Sequence, residues 1–411
     1  MGRYVQKFGG TSVATIAHIQ RAADVVARQK AAGHDVVVAV SAMGETTDEL
    51  MALAQAIAAR PSRRELDMLL SSGEQVSAAL MAMALSERGL EAVSLLGHQV
   101  PFLTDSVHAR ARIREVGSER LEAELAAGRT PVVAGFQGVD EHGEITTLGR
   151  GGSDTTAVAL AAAIGADECQ ILTDVDGVYT TDPRVVPEAR RLERVTFEEM
   201  IEMASLGSRV LQIRAVKYAG KFNVPIRVLH MSGEGSGTLI TFEEPNVESP
   251  VVSGIAFNRE EAEITVTGVP DRPGAAAALL GPISEAHIEV DMIVMNAPRA
   301  GCVDLSFTIN RVDYEQAMEI SRRAAAGLGA DDVLGNDRVV KISVVGVGMR
   351  SHAGVATTMF ETLAREGINV RMVSTSEIKI SVLVEEKYLE LGVRSLHEVY
   401  GLERPREGSV M

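Results

Sequence analysis

The sequence predicts an α/β protein in two parts: a sandwich of helices around a largely parallel sheet, then two small repeated modules. Three observations predict it. Short valine-rich runs alternate with helical stretches across residues 1–243, the pattern of a sheet covered by helices. A polar stretch, EEPNVESP, then breaks the pattern, as a linker does. Beyond it one strand–turn–helix–strand pattern occurs twice, which predicts two similar modules packed together.

The elements follow in order. RYVQKF at 3–8 reads as the first strand. VATIAHIQRAADVVARQKAAG carries Ile16, Ile19, Ala23 and Val26 at helical spacing and stops at Gly33, a good C-terminal signal. DVVVAVSAMG has Val36, Val37, Val38 and Val40 in one run, which suits a strand buried on both faces. Strand, helix and strand in that order imply a right-handed crossover. Helices are expected over 46–60 and 64–89, a strand at EAVSLLG, a helix at ERLEAELAAG and a strand at TPVVAGFQGVD. EHGEITTLG reads as a hairpin arm turning near His142-Gly143. A helix at TTAVALAAAIGA, a strand at ECQILTDV, two more helices and the strands VPIRVLH and TLITF complete the first part.

In the repeat, Ile264 matches Ile342, Val266 matches Val344 and Gly268 matches Gly346. After a two-residue insertion, Gly274 matches Gly354, Ala276 matches Ala356, Ile288 matches Ile368, Val290 matches Val370 and Met292 matches Met372. Glycines paired at turn positions make chance alignment of aliphatic strands a poor account.

Composition excludes several classes. The formal charge is −16, without a basic stripe, so a nucleic-acid binder is not expected. Two cysteines in unrelated segments make no zinc or disulfide framework, and the nine histidines show no H-x-x-x-H spacing. The start carries no apolar signal region, Gln6 breaks a myristoylation pattern, and no run of 18 apolar residues occurs. A cytoplasmic protein with no membrane partner is expected.

Two glycine loops carry the chemistry. In KFGGTS, Lys7 precedes Gly9-Gly10, which let the backbone approach a ligand closely; Thr11 or Ser12 is expected to cap the following helix, whose free N–H groups suit phosphate. The plain alternative is an exposed lysine before an ordinary turn, and KFGG alone leaves the two evenly matched. In LGRGGSDTT, Arg150 stands before Gly151 and Gly152, with Ser153 and Asp154 opening an alanine-rich helix. A guanidinium there suits a carboxylate, although Ser153 and Asp154 are also ordinary first-turn residues. Two such loops, each with its own cation, point to a site for two anions. SAMGETTDEL holds Thr47 after a strand, where open sheets gather ligands. Glu74 lies in SSGEQ, where Ser71-Ser72-Gly73 is expected to break the helix near a cleft, so that the acid could take a substrate ammonium or be a plain surface acid. TDVDGVYTTDPR is a polar loop for a nucleotide or simply a turn. GEGSGT at 233–238 lacks the third glycine of a dinucleotide loop and is read as a turn into TLITF.

KFGGTSVA, SAMGETTDEL, SSGEQ, VVAGFQG, TTLGRGGSDTTAVALAAA, TDVDGVYTTDPRVVP, FEEMIEMASLGS and the doubled module together resemble aspartate kinases of the lysine- and threonine-regulated bacterial kind, over essentially the whole chain. The resemblance implies an amino-acid-kinase three-layer sandwich at 1–243, a linker at 244–250, and two α+β ACT (ferredoxin-like) domains at 251–337 and 338–411, the first strand of the first open to exchange into the second. It implies transfer of a phosphoryl group from ATP, with Mg2+ carried mainly on its phosphates, to the side-chain carboxylate of L-aspartate. Lys7, Phe8, Gly9 and Gly10 would hold the phosphates, and Thr173, Asp174, Tyr179, Arg184 and Arg209 would contact the nucleotide. Thr47, Glu74, Arg150, Gly151, Gly152 and Ser153 would hold aspartate, and Asp154 would orient Lys7 or the metal. Lysine and threonine would bind where Asp271, Gly274, Ala276, Asp291 and Met295 face Val355, Asn369 and Val370, in a homodimer or tetramer built through the ACT domains. The chain departs from the family at Arg209, where relatives often carry lysine, and at HAGV (352–355), where many read HPGV. A glutamate or acetylglutamate kinase, or a sensor that keeps only the kinase shell, are the competing readings; the doubled module and the intact Lys7 and Arg150 loops favour aspartate kinase.

Overall fold

The computed structural model describes residues 1–205, 210–242, 251–347, 349 and 353–404. They fall into two compact units, the second of which includes Thr180–Arg190 along with the C-terminal residues.

The first unit is built on an eight-stranded sheet. Its strands are β1 (Arg3–Phe8), β2 (Asp35–Val40), β3 (Ala92–Leu95), β6 (Thr130–Ala134), β9 (Glu168–Thr173), β10 (Arg194–Thr196), β11 (Ile226–His230) and β12 (Thr238–Thr241), in the order β10-β12-β11-β9-β1-β2-β6-β3. Only the β11–β12 pairing is antiparallel. The chain lays β2, β6 and β3 on one side of β1 and β9 on the other, so β1 sits at the switch point where open sheets bind ligands.

Helices α1 (Ile16–Ala31) and α3 (Arg63–Ser86) cover one face, where Ile19, Val26, Met81 and Leu85 pack on Phe8, Val36, Val38 and Val40. Successive strand residues point to opposite faces, so Lys7 leaves the face of Phe8 and meets α5 (Gly152–Ala163) on the other. Helices α2 (Thr46–Ile57), α4 (Glu119–Ala126), α6 (Phe197–Ser205) and α7 (Ile213–Phe222) complete the layers of a three-layer sandwich.

Four local expectations are corrected. TPVVAGFQGVD is two strands: β6 ends at Ala134, Phe136 turns with a φ of 68°, and β7 (Gln137–Val139) joins a separate four-stranded sheet with β4 (Phe102–Thr104), β5 (Ile113–Val116) and β8 (Ile145–Thr147). Thr11–Val13 forms only a 3-10 turn, and Thr15 caps α1 by accepting from the His18 N–H. Helix α3 runs unbroken through Ser71-Ser72-Gly73, whose hydroxyls turn back onto Met68 and Leu69 carbonyls. The cap of α5 is left-handed Gly151, not Ser153. Among the described residues, α3 alone is long and apolar enough to cross a membrane, and half of that stretch is buried within the protein. GEGSGT turns the chain into β12, with positive φ at Gly233, Gly235 and Gly237.

The second unit has one six-stranded antiparallel sheet. It is made of β13 (Val251–Pro270), β14 (Val290–Met295), β15 (Cys302–Asn310), β16 (Asp332–Val347), β17 (Met372–Thr375) and β18 (Lys379–Glu385), in the order β14-β15-β13-β16-β18-β17. Helices α8 (Ala275–Glu285) and α9 (Tyr314–Leu328) pack with the first repeat, α10 (Ala353–Arg365) and α11 (Leu389–Val399) with the second. The two central strands are long enough to serve both repeats. Residues 252–258 of β13 pair with 341–346 of β16, and Ile255 sits in the second repeat's core. Reciprocally, 332–336 of β16 pair with 263–267 of β13, and Val333 packs on the first core. Val185 and Val186, from the 180–190 segment, are buried in the second core as well.

Candidate active site

The carboxyl ends of β1, β2, β6 and β9 converge on one polar centre. Lys7 Nζ lies 2.6 Å from Asp154 Oδ1, and both residues are nearly buried. Asp154 sits in the first turn of α5, so the pair ties the switch-point strand to that helix. The Gly9–Gly10 loop lies against residues 42–44: Gly44 N–H donates to the Gly10 carbonyl at 3.1 Å, and a Cβ on Gly10 would press on the carbonyls of Ala42 and Gly44. The first glycine loop therefore has a steric requirement that an ordinary surface turn lacks.

Glu74 is the unusual group. It is 3% exposed, its Oε1 accepts from the Ala42 N–H at 3.1 Å, and its buried Oε2 has no partner among the described residues. Gly73 makes this approach possible, because a Cβ there would lie 2.8 Å from Ala42 Cβ. Burial pushes the Glu74 carboxyl up to about 7, against the opposing pull of the Ala42 N–H and the Lys7 ammonium. A carboxyl held there, with one oxygen unanswered, is suited to receive a cation. Thr47 lies half-buried in the first turn of α2, on the loop that Gly73 packs against.

The second glycine loop is tightly built around an open side chain. Gly149 and Gly151 have φ of 79° and 69°. Gln212 Nε2 donates to the Arg150 carbonyl at 3.0 Å, and a Cβ on Gly151 would collide with Gln212. Ser153 backs onto Gly135 at the end of β6, where a Cβ would meet Ser153 Cβ at 2.9 Å. The Arg150 side chain itself is exposed and forms no ion pair among the described residues.

Thr173 ends β9, and its hydroxyl donates to exposed Asp174 at 3.1 Å. Tyr179 donates its phenol to Asp176 at 2.8 Å, and burial raises its pKa. Arg184 belongs to the segment grouped with the second unit; it is exposed and paired with Asp182 at 2.7 Å. Arg209 and His352 lie outside the described residues. Of the expected regulatory residues, Asp271, Gly274 and Met295 are exposed and Ala276 packs on the first core, while Val355 and Val370 pack on the second and Asn369 is exposed. Asp291 is bound to Lys341.

Sequence reasoning missed Asp67, His108, Gln212 and Arg214, which surround the second glycine loop. One signal was available. Asp67 stands seven residues before Glu74, on the same stripe of α3, so a buried Glu74 implies a buried Asp67.

A switch-point lysine on an acid, a second cation on a glycine loop and a buried carboxyl with one oxygen open are groups suited to hold anions and an ammonium together. The amino acid kinase family model matches residues 2–230, and an ACT domain model matches residues 342–400. The chain belongs to the aspartokinases. It is 60% identical over 411 residues to the aspartokinase of Pseudomonas aeruginosa, covering 99% of this chain and 100% of that one. It is 47% identical over 407 residues to the aspartokinase of Corynebacterium glutamicum, covering 98% and 97%. The crystal structure of E. coli aspartokinase III in complex with aspartate and ADP matches with a TM-score of 0.81 at 27% identity, over 96% of this chain and 99% of that one.

Proposed function

We propose that this chain transfers the γ-phosphoryl group of ATP to the side-chain carboxylate of L-aspartate, giving 4-phospho-L-aspartate for the biosynthesis of lysine, threonine and methionine. The observation that carries the reading is Glu74: a buried carboxyl with an orphan oxygen, beside the Lys7–Asp154 pair. An α-ammonium answers that oxygen.

The chemistry needs no general base. A side-chain carboxylic acid has an ordinary pKa near ~3.9 and is already ionised at neutral pH. The barrier is the meeting of two anions, and phosphoryl transfer is catalysed mainly by positioning and charge neutralisation. Lys7 neutralises the transferring phosphate beside the Gly9–Gly10 backbone, and Asp154 holds the Lys7 side chain in place. Thr173, Asp174 and Tyr179 line the nucleotide, and Arg184 and Arg209 are assigned to it by family resemblance; Phe8, whose side chain is fully buried against α1 and α3, has only its backbone to offer the phosphates. Arg150 takes an aspartate carboxylate, with Gly151, Gly152 and Ser153 shaping the loop and Thr47 at the edge. Mg2+ carried on the ATP phosphates would supply further shielding of their charge.

Regulation is assigned to the ACT pair. The E. coli enzyme with lysine and aspartate bound matches with a TM-score of 0.76 at 26% identity, over 96% of this chain and 98% of that one. Lysine, threonine or both bind where residues 271–276, 291 and 295 of one repeat meet 355, 369 and 370 of a second, in a homo-oligomer, and bias two packings of the assembly. The acidic chain works in the cytoplasm.

The test is a coupled assay of ADP release with and without aspartate and Mg2+, repeated with lysine and threonine singly and together. Lys7→Ala is expected to cut kcat by about 10²–10³ in a folded protein. Full turnover in that variant removes Lys7 from the mechanism, and ADP release indifferent to aspartate removes the substrate assignment.

A further inference from the structure

The loop that carries Arg150 is held by a set of bonds that the reaction itself does not require. Asp67, in α3, is fully buried. Its Oδ1 accepts from the Thr147 hydroxyl at 2.5 Å, both oxygens accept from the Ala109 N–H at 3.1 Å, and Oδ2 lies 2.8 Å from His108 Nδ1. Thr147 is three residues before Arg150. From the other side, Arg214 of α7 donates to the Leu148 carbonyl at 2.8 Å and the Ala111 carbonyl at 2.6 Å. The Ala111 N–H closes the ring by donating to the Thr147 carbonyl at 2.9 Å.

Two backbone features show that the arrangement is imposed. Ala109 has a φ of 69°, a conformation a non-glycine residue keeps only where its surroundings hold it; the Asp67 carboxylate on its N–H does so. Gly149 has no room for a Cβ, which would lie 2.9 Å from the Ala109 carbonyl oxygen. The loop at 105–111 is therefore a wall for the loop at 148–151, and Asp67 and Arg214 fasten one to the other.

We propose that Asp67 and Arg214 are positioning residues for the acceptor: they clamp the backbone on the N-terminal side of Arg150, so that its guanidinium meets the aspartate carboxylate already aimed. The inference rests on the reading of Arg150 as an aspartate ligand. Among the described residues Arg214 hydrogen-bonds to backbone carbonyls, and Asp67 bonds to neither Arg150 nor Lys7. Their effect must pass through loop geometry, and a misplacement near 1 Å can cost up to about 10² in rate or affinity.

Steady-state kinetics on the full chain separate the cases, with both KM values and kcat read for Arg150→Ala, Arg214→Ala, Arg214→Lys and Thr147→Val. Arg150→Ala is expected to raise the aspartate KM about 100-fold, and Arg214→Ala about tenfold, with kcat within about threefold and the ATP KM within about twofold. Arg214→Lys recovers part of the loss, because an ammonium can still reach a carbonyl. Thr147→Val gives a smaller rise of the same kind and decides the matter if Arg214→Ala does not fold. An unchanged aspartate KM in Arg150→Ala overturns the reading beneath the inference. A raised value there with an unchanged value in Arg214→Ala and Thr147→Val overturns the inference alone. So does a rise in both KM values together with a fall in melting temperature, which marks a merely structural role.

Discussion

Each unit buries a charge, and the two are treated in opposite ways. In the second unit Lys341 is 5% exposed; it lies 2.7 Å from Glu261, itself 3% exposed, and also binds Asp291. Burial works against its ammonium, yet the two carboxylates hold its pKa above the ordinary value. In the first unit Glu74 is equally buried, but it has no countercharge bonded to it among the described residues: one oxygen is met by the Ala42 backbone N–H, and the other has no hydrogen-bond partner there. A buried charge is costly unless paired and bonded. Lys341 is answered from within and serves the fold. Glu74 is left unanswered, at a cost to stability, and that cost is recovered only when a cation arrives.

The sharpest way to break this comparison is to remove the partner from the answered charge. Lys341→Met leaves Glu261 buried without a countercharge, though still bonded by the Asn258 amide at 2.9 Å, and is expected to destabilise the second unit by about 3 kcal/mol. Adding Glu261→Leu should return most of that loss, because replacing both partners by apolar groups is often neutral. Urea denaturation of the full chain checks both variants. A neutral Lys341→Met would mean that the pair holds nothing.

Glu74→Gln is the converse and should move stability and function in opposite directions. Losing the charge weakens aspartate binding by about 1.5–3 kcal/mol, the worth of a hydrogen bond to a charged group. The same change relieves the buried charge in the free enzyme. A carboxyl raised from 4.5 to about 7 bears roughly 3 kcal/mol of strain at pH 8, at about 1.36 kcal/mol per pKa unit. The variant is therefore expected to melt higher than the parent without aspartate and to gain less from adding it. Calorimetry with and without aspartate reads both effects. A lower melting point with unchanged affinity would place Glu74 with Lys341 as a structural charge.

The sequence carried this contrast only in part, for reasons of range. Valine runs and glycine loops are local, so the sheet, Lys7 before Gly9-Gly10 and Arg150 before Gly151-Gly152 could be read from neighbours in the chain. The small sheet of β4, β5, β7 and β8 was largely missed: its strands are only three or four residues long, too short for a period to show, and Phe136 splits a segment that reads as continuous. Gly73 was misjudged because a glycine that breaks a helix and one that admits a neighbour look alike in sequence; only the 2.8 Å approach to Ala42 tells them apart. The grouping of Thr180–Arg190 with the second unit was also hidden, since Val185 and Val186 bury themselves among residues far along the chain, from Ile255 to Leu402. Asp67 could be suspected from its seven-residue spacing to Glu74 along α3, but His108 and Arg214 meet it only through tertiary contacts that no spacing along the chain announces.

The last test of the contrast is the mildest, because it alters no residue. Glu74 titrates near 7 in the free enzyme, and an ammonium binds only its ionised form. Lowering the pH through 7 therefore takes away the binding-competent state, and the aspartate KM should rise roughly tenfold from pH 8 to pH 6, with a limiting slope of one. Stability runs the other way. A carboxyl whose folded pKa is raised contributes stability that is fully present below its unfolded value of 4.5 and is lost as pH rises through about 7, so Glu74 makes the free enzyme weaker at pH 8 than at pH 5. Lys341, held above its ordinary value, contributes no change across that range. In Glu74→Gln both trends should flatten together: the KM loses its dependence on pH, and the melting temperature of the free enzyme loses the part of its fall that Glu74 supplies. If the KM slope persists in that variant, the titrating group is another one, and the orphan oxygen is not where the substrate ammonium binds.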